Sequence, residues 1–145
     1  MFVQEIMSRT IVNIPASGTV FHAATLLREH KVGSILAIDD TGDVGIVTKR
    51  DIIYGTMLAK KDPVKTPVSD IMTRDIKTIH PLENVVTAVE LMEHHHLNKL
   101  VVIKNEEVVG IITFTDIARA IKTELKQMLN TWHSQEFGAE IQRNE

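Results

Sequence analysis

Threonine and aspartate side chains recur at matched positions in two segments of the chain, where their hydroxyl and carboxylate groups can form hydrogen bonds. Each segment runs from an apolar stretch with a glycine into a helical pattern, over Val44–Asp51 and Val109–Asp116. Threonine followed three residues later by aspartate is typical of a capping box, which stabilises a helix start. A capping box does not explain Gly45 and Gly110, because glycine in a strand often marks close approach by a ligand or another backbone. Structural and ligand-binding interpretations therefore both stay open.

The two segments belong to a duplicated sequence. Ile6–Ile52 aligns with Ile71–Ile117 without a gap, and the identical pairs include Ile6/Ile71, Val20/Val85, Gly45/Gly110, Thr48/Thr113 and Asp51/Asp116. Stacked repeat arrays usually need about three or more units. Two repeats therefore predict one pair packed face to face about a pseudo-twofold axis, so that a site in one repeat has a counterpart in the other.

Each repeat is predicted to fold as β-α-β-β-α, which makes the chain an α/β protein. In repeat one the predicted segments are strand Thr10–Ile14, a helix from Val20 capped by Thr19, strands Ser34–Ile38 and Val44–Thr48, and helix Asp51–Leu58 interrupted by Gly55. In repeat two they are strand Ile76–Ile79, helix Val85–His95, strands Leu100–Ile103 and Val108–Thr113, and a longer helix after Asp116. The repeats share one core, because 145 residues fit one compact domain.

Two prolines separate the repeats. Pro63 and Pro67 mark a connector, which is predicted to be fixed rather than a flexible tether. The predicted boundaries are 1–62 for repeat one, 63–70 for the linker, 71–125 for repeat two, and 126–145 for a C-terminal helical extension with a polar tail from His133.

Composition narrows the class of protein. The chain has no cysteine, a formal net charge of -3, and apolar runs far shorter than a membrane span. Its first residues, Met1–Glu5, do not resemble a signal peptide. We therefore expect a cytoplasmic protein with no membrane partner, and the charge argues against strong non-specific nucleic-acid binding.

The two motifs, the repeat spacing and the element order resemble a tandem pair of cystathionine β-synthase (CBS) domains, often called a Bateman module, over roughly residues 1 to 125. The family segment Gly-hydrophobic-x-Ser/Thr-x-Ser/Thr-Asp is present in full at Gly110–Asp116, whereas Gly45–Asp51 has Arg50 in place of the second hydroxyl. In that family the segment lines a cleft for adenosine-containing ligands. The resemblance implies that this chain binds an adenine nucleotide (AMP, ADP or ATP), with S-adenosylmethionine as an alternative.

Residue roles follow from the resemblance by position. The ribose would be held by Asp51 and Asp116, since a carboxylate can accept both ribose hydroxyls. The phosphates would be held by Thr48, Thr113 and Thr115, with Lys49 and Arg50 adding cations in repeat one, and Gly45 and Gly110 belong to the same segments. The base would be bordered by Asn13, Ile14 and Pro15 in one repeat and by Thr78, Ile79 and His80 in the other. The family often carries a proline at the start of the second strand of each repeat, which neither Gly33-Ser34 nor Asn98-Lys99 has.

Repeat one is predicted to be the more cationic site, because Arg50 stands where repeat two has Thr115. A guanidinium pairs bidentately with phosphate, so this site should favour more highly phosphorylated ligands. The alternative is that Arg50 points to solvent or pairs with Asp39 or Asp43.

Metal binding and catalysis are not predicted. Consecutive helical side chains point about 100° apart, so His94-His95-His96 cannot converge on one ion. The sequence has no phosphate loop or nucleophile elbow. No catalytic residue is assigned.

We therefore expect a regulatory module that binds an adenine nucleotide and signals to a regulated protein, which the sequence does not identify. The resemblance also suggests a flat homodimer, and apolar faces of the helices after each motif, including Ile52, Ile53, Met57, Ile117, Ile121 and Leu125, exceed what a two-repeat core needs. One alternative is a structural dimerisation module with empty clefts. Another is a nucleic-acid-binding accessory that uses Lys49, Arg50, Lys60 and Lys61.

Overall fold

The computed structural model describes residues 1–137, which form five helices and six strands. The elements are α1 Val3–Ile6, β1 Asn13–Pro15, α2 Val20–His30, β2 Ser34–Ile38, β3 Val44–Thr48, α3 Lys49–Ile52, β4 Thr78–Ile79, α4 Val85–His95, β5 Lys99–Lys104, β6 Glu107–Thr113 and α5 Phe114–Trp132. The predicted order of strand, helix, strand, strand, helix is confirmed in both repeats. Part of the predicted polar tail, residues 138–145, lies outside the described residues.

Each repeat contains one three-stranded sheet. In repeat one β1 pairs parallel with β2, which pairs antiparallel with β3; β4, β5 and β6 repeat this arrangement. The middle residues of β2 and β3 are buried, because each sheet is covered on both faces. This explains the continuous apolar runs that mark these strands in the sequence.

The two long helices start and stop in the same way. The side chain of Thr19 accepts the His22 N–H at the start of α2, as predicted, and Asn84 accepts the Val86 N–H at the start of α4. Both helices end at a residue in the left-handed conformation, Lys31 with φ 53° and His96 with φ 55°. These two residues are equivalent in the repeat alignment.

The third helix of repeat one differs from its prediction. It begins at Lys49, two residues before the predicted start, and passes at Ile53–Met57 into a wider π-helical turn. A Cβ on Gly55 would clash with the side chain of Ile71. The glycine therefore lets the linker side of repeat two pack directly against this turn.

The two cores exchange their leading segments, the residues that precede the first strand of each repeat. Val3 and Met7, which precede the first sheet, pack in the core around Leu100 and Ile112 of repeat two. Val68 and Met72, which precede the second sheet, pack in the core around Ile35 and Val47 of repeat one. Each repeat is thus completed by residues that precede the other in sequence.

The linker is held by backbone hydrogen bonds. The Val20 N–H donates to the Thr66 carbonyl over 2.9 Å, and the Val68 N–H donates to the Gly18 carbonyl over 2.7 Å. Thr66 is buried and donates its hydroxyl to the Asp62 carbonyl. These bonds give the predicted fixed connector a physical basis.

A third core cluster joins the two sheets. It contains Leu36 and Ile46 from repeat one and their sequence equivalents, Val101 and Ile111, from repeat two. Equivalent residues meeting across one cluster are what a pseudo-twofold arrangement requires. The repeats pack face to face, as the duplication predicts.

Candidate functional site

Both motifs form capping boxes at the starts of helices. In repeat one the Asp51 N–H donates to Thr48 Oγ1 over 3.2 Å, and Asp51 Oδ2 accepts the Thr48 N–H over 2.9 Å. In repeat two the corresponding distances are 3.1 Å and 2.9 Å between Asp116 and Thr113. The capping interpretation of threonine and aspartate is confirmed at both sites.

The capping box uses only one carboxylate oxygen of each aspartate. Oδ1 of Asp51 accepts a 3.2 Å hydrogen bond from Thr73 Oγ1, which belongs to the segment before β4. Oδ1 of Asp116 lies 3.6 Å from Arg119 Nη1, one turn further along α5. A carboxylate oxygen has two lone pairs, so capping does not exhaust the capacity of either aspartate to bind a ligand.

The glycine of each motif is explained by the backbone of the opposite leading segment. A Cβ on Gly45 would lie 2.9 Å from Met72 Sδ and 3.1 Å from the Thr73 carbonyl oxygen. A Cβ on Gly110 would lie 2.7 Å from the Ser8 carbonyl oxygen. Of the two possibilities that the sequence left open, close approach of another backbone accounts for both glycines.

A cleft of about 520 Å³ lies between the repeats at the first motif. Repeat one contributes its motif side chains, and the opposite wall comes from the residues around β4 and the start of β5. The lining residues are Gly33, Ile46, Thr48, Lys49, Arg50, Asp51, Thr73, Asp75, Ile76, Lys77, His96, Leu97, Asn98 and Lys99. Its volume falls in the range of small-molecule sites, about 300–1,000 Å³.

The cleft is rich in cations. Lys49, Arg50, Lys77 and Lys99 line it against two acidic side chains, Asp51 and Asp75. Lys77 Nζ lies 3.2 Å from Asp75 Oδ1, whereas Lys49 and Arg50 make no ion pair within residues 1–137.

Lys99 is the first residue of β5 and is half-buried in this cleft. Burial lowers the pKa of its ammonium group below the usual value; the nearby Asp51 carboxylate opposes this shift and the Arg50 guanidinium adds to it. Its charge is therefore poorly solvated. An anion entering the cleft would supply a counter-charge in addition to that of Asp51.

The structure brings part of the predicted ligand set together. Thr48, Lys49, Arg50 and Asp51 share the cleft, but Ile14 and Ile79 do not, because they are 1% and 6% exposed in the two cores. The side chains that alternate with them, Asn13, Pro15, Thr78 and His80, are exposed and do not line this cleft. The residues before β4 that do line it are Asp75, Ile76 and Lys77. The parallel register pairs Thr78 with Val101, two residues into β5, so the residues before Thr78 lie closer to Lys99 at the start of that strand.

In repeat two, Thr113 caps α5 and Thr115 is exposed in its first turn. Residues Lys77 and Lys99 were missed at the sequence level, since each is an isolated lysine near a strand start. Lys99 stands where the family often has proline, and this departure was the one feature of the sequence that could have indicated a role for Lys99.

Arg50 does not pair with Asp39 or Asp43. Asp39 instead accepts the Thr41 and Asp43 N–H groups within its own hairpin turn, and its Oδ2 lies 4.0 Å from Arg74 Nη1. The hydrogen bond from the Thr41 hydroxyl is the largest cause that lowers the pKa of Asp39; desolvation opposes it, and the Thr41 and Asp43 N–H groups and the Arg74 guanidinium lower the pKa further. The nucleic-acid alternative relies on four basic side chains, Lys49, Arg50, Lys60 and Lys61. Of these, Lys61 forms an ion pair with Asp70, with 3.8 Å between Nζ and Oδ2.

Within residues 1–137, no three or more histidine, cysteine, aspartate or glutamate side chains group closely enough to hold a metal ion. No helix in the same range combines the length and apolar character needed to cross a membrane.

The fold defines a two-repeat α/β module with a cleft between its repeats. The family model for the CBS domain matches this chain twice, over residues 3–55 and 68–123. The chain belongs to the CBS domain family, and the resemblance stated from its motifs is confirmed.

Known proteins agree with this assignment. The CBS domain-containing protein YhcV of Bacillus subtilis is 28% identical over 80% of this chain and 82% of its own length. A putative signal-transduction protein with CBS domains from Burkholderia ambifaria superposes with a TM-score of 0.76 at 26% identity, covering 83% of this chain and 93% of that one. A hexameric CBS-CP12 protein from bloom-forming cyanobacteria superposes with a TM-score of 0.75 at 30% identity, covering 81% of this chain and 69% of that one.

Proposed function

We propose that this protein is a non-catalytic regulatory module that binds an adenine nucleotide in the cleft at Asp51 and passes its ligand state to a partner protein. The observation that carries this proposal is the cleft itself. It combines a carboxylate with a usable oxygen, apolar side chains and cationic side chains within one space of about 520 Å³. These are the three kinds of group that a ribose, a base and a phosphate need.

Each part of the nucleotide has a candidate partner. Oδ1 of Asp51 would accept a ribose hydroxyl in exchange for its bond to Thr73. The apolar side chains of Ile46, Ile76 and Leu97 would pack against the base. The cationic side chains of the cleft would neutralise the phosphate.

A ligand in this cleft would contact both repeats at once. The motif belongs to repeat one, whereas Ile76 and Lys99 belong to repeat two. Binding would therefore favour one arrangement of the two sheets, and a partner that contacts both repeats would detect the difference.

Thermal unfolding of the full chain with AMP, ADP, ATP or S-adenosylmethionine tests the proposal. A ligand that binds only the folded state must raise the unfolding temperature. At a concentration one hundred times its Kd, it adds about 2.7 kcal/mol to the free energy of unfolding. If S-adenosylmethionine alone does so, the adenosyl part of the proposal survives and the nucleotide part is lost. If none does at millimolar concentration, the empty dimerisation module becomes the better account.

We further propose that the protein self-associates through apolar side chains on α5 and on the turn after α3. Ile121 and Leu125 are more than half exposed on α5, and Met57 is 73% exposed. Ile52 and Ile117, also assigned to this face from sequence, instead pack in the two cores. The hexameric assembly of the cyanobacterial CBS-CP12 protein supports self-association in this family.

A further inference from the structure

The repeat alignment gives every cleft position a counterpart in the other repeat, and the charges differ sharply. Opposite Lys49, Arg50, Lys77 and Lys99 the alignment places Phe114, Thr115, Val12 and Ser34. The one cation gained in exchange is Lys31, opposite His96. The positions around Asp116 thus carry one cation, whereas those around Asp51 carry four.

Two of the four cations come from the wall that faces the motif. Lys77 lies just before β4 and Lys99 begins β5, so both are fixed by the second sheet, whereas Lys49 and Arg50 lie in the first turn of α3. A ligand held by Asp51 would therefore meet positive charge from both sides. A monophosphate carries about two negative charges, and each further phosphate adds more, so a longer phosphate chain satisfies more of these cations.

Resting on the proposed function, we infer that the Asp51 cleft is specific for a nucleoside polyphosphate whose terminal phosphates are held across the cleft by Lys77 and Lys99. These two lysines set the specificity for phosphate number. The half-burial of Lys99 fits this role, because a poorly solvated ammonium pairs more strongly with an anion than an exposed one does. The counterpart site at Asp116 lacks these groups and would not make the distinction.

The chain supplies its own matched substitution. The variant Lys77→Val with Lys99→Ser gives the cleft the residues that stand at the equivalent positions of repeat one. The control is Lys104→Gln with Lys122→Gln, which removes the same charge from exposed lysines outside the cleft. Calorimetry on the full chain would measure inorganic tripolyphosphate, ATP and AMP binding to all three proteins.

We expect the double variant to bind tripolyphosphate and ATP about tenfold more weakly, or worse, while AMP binding changes by less than about threefold. The control should match the parent. Because the double variant removes the Lys77–Asp75 ion pair, its unfolding temperature is measured in parallel, and Lys99→Gln alone provides a second variant if the double variant is unstable.

Failure of this inference and failure of the proposed function differ in outcome. If the parent does not bind tripolyphosphate, or the folded variants bind it as the parent does, the two lysines do not read phosphate. If tripolyphosphate binds through the lysines but ATP binds no more tightly than tripolyphosphate does, the specificity for phosphate stands and adenine recognition is lost.

Discussion

The hydroxyl of Thr73 donates a 3.2 Å hydrogen bond to Oδ1 of Asp51, which ties the leading segment of repeat two to the motif of repeat one. Oδ2 of the same carboxylate accepts the Thr48 N–H of the capping box. Asp51 therefore serves the helix start and the contact between repeats at once. An experiment on its ligand role must separate it from both.

Asp51→Asn is the variant that makes this separation. The amide oxygen can still accept the Thr48 N–H, but the charge is lost, so nucleotide affinity should fall by roughly 1.5–3 kcal/mol. Asp51→Ala should lose this affinity and also about 1 kcal/mol of folding stability with the cap. Calorimetric titration and urea unfolding give the two quantities. Unchanged nucleotide affinity in a folded Asp51→Asn protein would leave the aspartate with a capping role alone, and Asp116→Asn tests the second motif in the same way.

Replacing either motif glycine should destabilise the protein. The added Cβ of Gly110→Ala would meet the Ser8 carbonyl at 2.7 Å and that of Gly45→Ala the Met72 sulfur at 2.9 Å. Overpacking of this kind costs about 1–3 kcal/mol, and the backbone contact at Gly110 should be the more costly. Gly33→Ala is the control, since nothing lies within 4 Å of its Cβ. Equal stabilities for all three variants in urea would mean that the leading segments pack loosely.

Lys99→Met should stabilise the ligand-free protein at neutral pH, because burial disfavours the ammonium of Lys99. The pKa of this lysine is lowered from 10.5 in the folded state, so the unfolded chain binds more protons between the two values. The stability of the parent must then rise with pH through that window. The advantage of Lys99→Met should therefore shrink as the pH approaches 10.5 and vanish above it. Urea unfolding across this range checks the sign, and a difference independent of pH would contradict it.

Arg50→Thr should lower the preference for ATP over AMP. Arg50 lines the cleft and has no ion-pair partner among the described residues, so its guanidinium is available to phosphate. The replacement is the residue that repeat two carries at this position, Thr115. The measurement is the ratio of ATP to AMP affinity in parent and variant. An unchanged ratio would show that Arg50 stays in solvent.

Light scattering after gel filtration should give about twice the mass of the 145-residue chain. Leu125→Glu should shift the protein toward monomer, since it puts a charge into the exposed apolar face of α5. Gln127→Glu adds the same charge elsewhere on this helix and should leave the mass unchanged. A parent protein that is monomeric at micromolar concentration would rule out this interface.

Local patterns in the sequence were enough to predict most of the fold. Ser34–Ile38 and Val44–Thr48 form a hairpin with the predicted bounds, because apolar runs and a turn fix it locally. The helix over Asp51–Leu58 was predicted less accurately, since it begins at Lys49 and passes into a π-helical turn whose Gly55 lies against Ile71, a residue of the other repeat. Contacts of that range leave no periodic signal.

The cleft was predictable only in part, for the same reason. Asp51 and Thr48 stand in a motif whose spacing is local, and the structure places both in the cleft. Lys77 and Lys99 come from the opposite repeat, so their relation to Asp51 depends on how the sheets pack. Ile14 and Ile79 face the cores because alternate residues of a strand point to opposite sides, which a register error of a single residue reverses.

The exchange of leading segments sets an order on synthesis at the ribosome. Val3 and Met7 emerge before both sheets, yet the core they complete includes Ile117. At about 5–20 residues per second, translation separates these residues by on the order of ten seconds. During that interval the core that receives Val3 and Met7 is incomplete, although the core of repeat one can already form once Val68 and Met72 have emerged. Val3 and Met7 are thus made before the rest of the core that they complete, and a ribosome stalled within repeat two would present them to chaperones.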